Sequence, residues 1–319
     1  MQVLTHIRAF RRLPGPIVLA AGFFDGVHRG HARVLQAAVD EAREMGAEAW
    51  VLTFDRHPMA LLAPERKPPL LTSPERKLEL LEEFGFDGCL VLPFTRALAA
   101  QSPRRFIASL AGAAQSAPDA PARIAALHCG ANWTFGAQAA GTWPVLRELG
   151  REFGFRARKS RPVLRGGQPV SSTRIRNAVA TGDLALAARM LGRAPSVEGV
   201  VRPGRAVGRT LGRPTANLAP RPSIVLPPDG VYAVEVRTGK NGAPLRGVAN
   251  LGPRPTFHDA ASARRTLEIH LLDFDGDLYG ETLEVSFLRF LRTIRAFDTP
   301  AALAAQIAKD VARTRNPML

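Results

Sequence analysis

From the N-terminus to about Leu191, short apolar runs alternate with stretches of helical periodicity, the pattern of a parallel sheet covered by helices. Strands are predicted at Ile17 to Gly22, Glu48 to Phe54, Gly88 to Pro93 and Arg123 to Cys129. Between the first two, Val34, Leu35, Ala38, Val39, Ala42 and Met45 recur on one helical face. Ser73 and Pro74 open another helix, an N-cap hydroxyl followed by the residue favoured at the first helical position, and this helix runs to about Phe84. Ser102 and Pro103 repeat the device ahead of Phe106, Ile107 and Leu110. Helical runs at Thr173 to Ala180 and Asp183 to Leu191 end this doubly wound, Rossmann-like α/β half.

From Val197 the pattern changes to short strands, VEGVV, GVYAVEV, LRGVANL, RTLEIHLL and LEVSFLRF, separated by Gly, Pro and Asp turns. Helical periodicity returns only at Pro300 to Ala312. Five or six strands with one closing helix predict a small antiparallel β-barrel. The boundary falls between Gly182 and Glu198, giving domains 1–182 and 183–319, the number expected for a chain of 319 residues.

An apolar fraction of 46% and a charged fraction of 22% suffice for two packed cores and exclude large-scale disorder. No apolar run approaches the ~18 residues that span a bilayer. Arg8, Arg11 and Arg12 interrupt the stretch where a signal peptide would need its apolar core, so a cytoplasmic chain without a membrane partner is expected. Cys89 and Cys129 each fall in a predicted strand and read as buried reduced thiols. The formal charge of +15 raises the question of nucleic acid. Of 43 basic residues, however, only five are lysines, and a bias so evenly spread reads as codon usage rather than a binding face. No nucleic-acid partner is expected, whereas anionic small substrates suit the field. Homo-oligomerisation stays open.

The segment AAGFFDGVHRGHARVL (Ala20 to Leu35) sets a strand, a glycine-rich turn and a helix in succession, with His28 and His31 flanking Gly30. Backbone N–H groups of such a turn face an anion, and imidazoles beside them donate to phosphate oxygens. A Walker A loop is absent, since Gly239 and Lys240 are followed by Asn241. GFFDGVHRGH resembles the HxGH signature of nucleotidyltransferases, in the extended form of bacterial bifunctional riboflavin kinase/FAD synthetases. VSSTRIRNAVATGD (Val170 to Asp183) and CGANWTFGAQAAGT (Cys129 to Thr142) are similar to two further signatures of that family, with Trp133 where a Phe is usual. Alone, HxGH could be a turn with surface histidines and SST an N-cap; three motifs in family order favour the functional reading.

The resemblance implies that an FMN phosphate oxygen attacks the α-phosphorus of ATP and pyrophosphate leaves, a reaction carried by positioning and charge stabilisation. It assigns His28 and His31 to the phosphate chain and its transition state, with Arg176 neutralising charge. Gly22, Phe24, Gly26, Gly30 and Asn132 fall in the nucleotide site, and Ser171, Ser172 and Thr173 supply hydroxyls and helix-start N–H groups. Asp25 orders the turn or helps hold the metal. Trp133 and Phe135 meet flavin or adenine, or serve as core aromatics; His57 of TFDRHP lines the nucleotide site or is a polar strand end.

In the second half, GRAVGRTLGRPTANL (Gly204 to Leu218) is similar to the flavokinase motif. Its glycines Gly204, Gly208 and Gly212 allow close approach to phosphate, and Thr215 and Asn217 offer hard oxygens suited to Mg²⁺. Glu268, in LEIHLLDFDGDLYGETLEVSFLRFLR, matches the family's general base for the riboflavin 5′-hydroxyl. Asp273, Asp275 and Asp277 are spaced as in a calcium loop, but the glycine-and-glutamate pattern of that loop is incomplete, so a hairpin turn is expected. Arg213 replaces a usual Phe, and Ile294 a usual acidic residue. The expected activity is therefore bifunctional: riboflavin and ATP give FMN, then FMN and ATP give FAD, with Mg²⁺ as cofactor. A kinase with a weakened or retuned N-terminal domain, and an arginine-rich nucleic-acid-binding protein, are the competing readings.

Overall fold

The computed structural model describes residues 1–112, 123–202, 215–239, 242–253 and 265–316. By compactness the chain divides into two units, Met1–Pro68 with Pro74–Ser172, and Pro69–Ser73 with Thr173–Leu319.

In the first unit, strands β1 (Gln2–Leu4), β2 (Ile17–Ala21), β3 (Glu48–Phe54), β4 (Gly88–Leu92), β5 (Ile124–Cys129) and β6 (Arg156–Lys159) form one parallel sheet in the order β1-β4-β3-β2-β5-β6. Its helices are α1 (Ile7–Phe10), α2 (Arg29–Met45), α3 (Met59–Leu62), α4 (Pro74–Glu82), α5 (Arg96–Ala99), α6 (Pro103–Ala111) and α7 (Trp143–Phe153). A short ribbon, β7 (Leu164–Arg165) with β8 (Gln168–Pro169), follows. All of β2 is buried because both faces of the sheet are covered: Ile17, Leu19 and Ala21 join one apolar cluster, and Val18 and Ala20 the other. From β2 the chain builds outward through β3 and β4, then returns to the opposite side of β2 for β5 and β6. That reversal opens a crevice at the C-terminal ends of β2 and β5, where ligands bind in open α/β sheets.

The four sequence-predicted strands are present, with β2 ending one residue early at Ala21. Ser102 caps α6 as expected, its hydroxyl accepting from the Arg105 N–H at 3.3 Å. Met45 departs from its expected buried face: it lies in the last turn of α2, exposed, ahead of the left-handed Gly46 that ends the helix. The edge strand β6, sequence RARK, was not anticipated, nor were β1 and α7. Glu41 on α2 ties β6 and β5 down, accepting from Arg158 and lying 2.6 Å from His128 Nε2. Both cysteines are buried and free, their thiols pushed up by burial to about 12 (Cys89) and about 11 (Cys129).

In the second unit, β9 (Ser196–Arg202), β10 (Ala216–Leu218), β11 (Gly230–Thr238), β12 (Leu245–Pro253), β13 (Arg265–Leu271) and β14 (Thr282–Arg292) close an antiparallel barrel in the order β10-β13-β12-β11-β14-β9. Inward positions alternate with outward ones, and Tyr232, Val234, Ala249, Leu251, Leu267, Ile269 and Phe287 fill the interior. α10 (Pro300–Arg315) packs on β12 and β11, with its buried Asp310 paired to Arg292 at 2.9 Å. α8 (Ser172–Ala180) and α9 (Leu184–Leu191) are counted with this unit from Thr173 onward, and Leu184 belongs to the barrel's apolar cluster. Asp273 to Asp277 lie in the β13–β14 hairpin connection, as expected, where Asp277 accepts from the Tyr279 N–H. No described helix is long and apolar enough to cross a membrane.

Candidate active sites

The first site grows from the turn between β2 and α2. Gly22 N–H donates to Leu52 O, and Thr53 Oγ1 donates to Phe23 O at 3.0 Å, so β3 grips the turn from one side. Gly22 is required here because a Cβ would stand 2.8 Å from the Phe24 ring, which tucks back over it. Phe24 and Val27 adopt φ of 56° and 39°, a region costly for bulky and β-branched residues that persists where the surroundings over-determine it. Asp25 and Gly26 are buried within the turn, and the Asp25 carbonyl accepts from Ser172 Oγ at 3.0 Å. The serine motif and the histidine turn, far apart in sequence, thus meet.

His28 is the N-cap of α2: its Nδ1 accepts from the His31 N–H at 3.2 Å. That bond assigns the proton to Nε2, which leaves an Nε2–H donor at a helix N-terminus. The His31 ring stacks on it at 3.6 Å and 16°, with the Phe24 ring meeting His31 edge-on. Gly30 permits the capping ring, since a Cβ there would lie 3.0 Å from it. Burial first, then the unfavourable electrostatics of a second imidazole at His28 and of the Lys77 ammonium, hold the His31 pKa well below the ordinary 6.5. His31 is therefore neutral at physiological pH, and its inaccessible Nδ1 has no hydrogen-bond partner among the described residues. The pair offers directed hydrogen bonds rather than charge. His57 also accepts at Nδ1, from the Met59 N–H, and its ring meets Phe23 edge-on at 4.9 Å.

Beyond β5, Asn132 is exposed, and Trp133 and Phe135 stack at 4.7 Å and 20°. Phe135 belongs to the core, while both rings line a cavity of about 910 Å³ together with Phe54, Phe94, Leu98 and Phe106. Ser171 lies half-buried in the first unit; Thr173 is exposed and Arg176 buried on α8, both counted with the second.

The barrel site is a row across three strands. Asn217 on β10 and Asn250 on β12 are each directly opposite Glu268 on β13. Their sequence neighbours, Ala216 and Leu218, Ala249 and Leu251, Leu267 and Ile269, are buried inside the barrel, so the three polar side chains share its outer face. Glu268 is exposed, and Thr215 precedes β10, its carbonyl accepting from Asn217 Nδ2 at 3.5 Å. Among the described residues no cluster of three or more His, Cys, Asp and Glu side chains could hold a metal. The Thr215 hydroxyl and the Asn217 amide oxygen fit a hard cation whose other ligands are phosphate oxygens and water. Gly204, Gly208, Gly212 and Arg213 lie outside the described residues. Ile294 is exposed, its Cδ1 against Gly252.

Two residues escaped the sequence reading. Asn250 Oδ1 is inaccessible and has no protein partner among the described residues, although it stands in the same cross-strand row as Glu268. Lys77 is buried beneath the histidine turn. Its signal was present in α4, where it precedes the buried Leu80 and Leu81 by three and four positions and so shares their face.

A nucleotide-type crevice with paired histidines in one unit, and a closed barrel bearing an Asn-Glu-Asn row in the other, define a two-part phosphate-transfer enzyme. The FAD synthetase family matches residues 11–174, and the riboflavin kinase family residues 191–318. The chain is 39% identical over 299 residues to the bifunctional riboflavin kinase/FMN adenylyltransferase of Escherichia coli (strain K12), covering 94% of this chain and 92% of that one. It is 34% identical to the Haemophilus influenzae protein of the same description, covering 98% and 97%, and 32% identical to that of Bacillus subtilis, covering 92% and 90%. A solved structure described as a macrolide-efflux protein from Streptococcus pneumoniae superposes with a TM-score of 0.84 at 28% identity, covering 98% of both chains. The chain belongs to the bifunctional riboflavin kinase/FMN adenylyltransferase family.

Proposed function

We propose that the first unit adenylates FMN to FAD and that the barrel phosphorylates riboflavin, with roles divided as follows. An FMN phosphate oxygen forms the new bond to the α-phosphorus of ATP while the bond to the bridging oxygen breaks, its electron pair leaving on pyrophosphate. His28 Nε2–H and neutral His31 donate to the oxygens on which charge develops, with the turn N–H groups and the Ser171, Ser172 and Thr173 segment completing the cradle. Arg176 supplies positive charge to the leaving phosphates. The aromatic cavity beside the same crevice takes the flat isoalloxazine ring, with Trp133 as a stacking surface. The observation that carries this reading is the capping bond of His28, which fixes one imidazole tautomer and aims its donor from a helix N-terminus.

In the barrel, Glu268 removes the proton of the riboflavin 5′-hydroxyl as its oxygen bonds to the γ-phosphorus of ATP and the bridging bond breaks, its electron pair leaving on ADP. Thr215 and Asn217 would hold Mg²⁺, which when bound neutralises triphosphate charge; their position one strand from Glu268 supports a shared site. The glycines at 204, 208 and 212 approach the nucleotide phosphates. The division between residues 182 and 183 falls in the interval that neither family match covers. Riboflavin, ATP and Mg²⁺ given to the purified protein should yield FMN with ADP, then FAD with pyrophosphate, by chromatography. FMN accumulation without FAD from supplied FMN would remove the first assignment; neither product would remove both.

A further inference from the structure

Lys77 is a buried lysine whose three ammonium donors are all engaged inside the first unit. Its Nζ lies 3.0 Å from Phe54 O, 3.0 Å from Thr53 Oγ1 and 3.3 Å from Phe23 O, and 4.7 Å from the centre of the Phe23 ring. It forms no ion pair among the described residues. A buried ammonium without a carboxylate against it is costly, and a methionine of similar length would pack beside Leu80 and Leu81 without that cost. Packing therefore does not explain the position.

The acceptors do. Phe23 opens the turn that carries His28 and His31, and Phe54 lines the aromatic cavity. We propose that Lys77 is a positioning residue for adenylyl transfer: by donating to both carbonyls at once, it fixes the histidine turn against the cavity and places a positive charge beneath their junction. This rests on the reading of that crevice as the adenylyl-transfer site. The histidines bring little charge of their own, so a cation built into the turn's floor complements the phosphates above it.

The groups that act on Lys77 are few. Burial lowers its pKa to about 8, while the Cys89 thiol and the Asp25 and Asp55 carboxyls push it upward; its charge in turn contributes to keeping His31 neutral. An alkaline limb in kcat/KM for FAD formation should follow, because that parameter reports the free enzyme.

The test compares the full-length parent, Lys77→Met and Lys77→Arg, given FMN, ATP and Mg²⁺ between about pH 6.5 and pH 9.5, with FAD and pyrophosphate measured. Lys77→Met should lose on the order of 10²-fold in kcat/KM, phosphorylate riboflavin normally, and melt at or above the parental temperature because a buried charge is gone. Lys77→Arg should retain more activity and lose the alkaline limb, since guanidinium stays protonated. A folded Lys77→Met protein that makes FAD within about twofold of the parental rate overturns the proposal. So does a Lys77→Arg profile that falls with the parent's, which also decides the matter if the Met variant fails to fold. A parent that makes no FAD from FMN overturns the underlying assignment, and this one with it.

Discussion

On the assignments proposed above, the two sites solve the same problem, holding a triphosphate beside an acceptor oxygen, with opposite placements. In the α/β unit the chemistry sits at the crevice of a sheet buried on both faces, on a turn held by Thr53, Lys77 and Ser172 and strained at Phe24 and Val27. In the barrel it sits outside, on a face where register alone aligns Asn217, Glu268 and Asn250. The buried site spends stability on fixing its groups in advance. The barrel leaves Glu268, its proposed base, exposed. Substitutions should therefore couple rate to stability in the first and separate them in the second.

The largest effect is expected where one group does the proton transfer. Glu268→Gln should lower FMN formation by ~10²- to 10⁴-fold while conversion of supplied FMN to FAD continues, with no change in melting because the side chain is exposed. A parental rate of FMN formation would end the assignment of this carboxylate as base.

His28 is a helix cap and a proposed donor, and the two roles can be parted. His28→Asn keeps a capping oxygen but removes Nε2–H, so FAD synthesis should fall by ~10²-fold or more with melting little changed. His28→Ala should lose the same rate and also about 1 kcal/mol of stability. If Asn restores FAD synthesis to the parental rate, the ring acts only as a cap. His31→Ala should likewise block FAD formation, with riboflavin phosphorylation intact in all three.

Next in size is a stability effect confined to the buried site. Lys77 has a folded-state pKa of about 8 against an ordinary value of 10.5, so between these values the unfolded chain binds more protons and stability rises with pH. The stability gap between the parent and Lys77→Met should narrow or reverse across that window, by up to about 3 kcal/mol. Urea unfolding of both proteins at intervals from pH 7.5 to about pH 10.5 measures it. A gap constant with pH would mean that the ammonium is not desolvated as its surroundings imply.

The smallest effect belongs to the barrel's uncounted neighbour. Asn250→Ala should reduce FMN formation about tenfold, the value of one hydrogen bond, without affecting FAD formation from FMN. An effect equal on both activities would indicate that the residue supports only the fold.

Most of this comparison was legible in the chain itself, and what escaped did so for identifiable reasons. β2 to β5 are continuous apolar runs because both faces of the sheet are covered, and the motif turns at His28 and Ser172 follow strand and helix signals directly. β6 was hidden because RARK carries no apolar alternation, and β1 and β10 because three residues give no period. Asn250 could be found only through register, since its partner in the row lies on another strand. Lys77 stood on the apolar face of α4, but a lysine in ERKLELL reads as a solvated position until something buries it. The glycine-rich phosphate motif ahead of Thr215 is clear in sequence and rests on that alone.

The sheet's edges carry a further consequence. β1 is three residues long, and β6 is written Arg156-Ala157-Arg158-Lys159, with Glu41 the one carboxylate paired to its guanidinium groups among the described residues. A second copy adding edge-on to β6 would bring three cations against three, so its unpaired backbone groups are left to water. A parallel sheet is assembled from distant segments and exposes such an edge while the rest is still forming. Here that edge is protected from strand addition, and so from the first step of aggregation, by the charges in its own sequence.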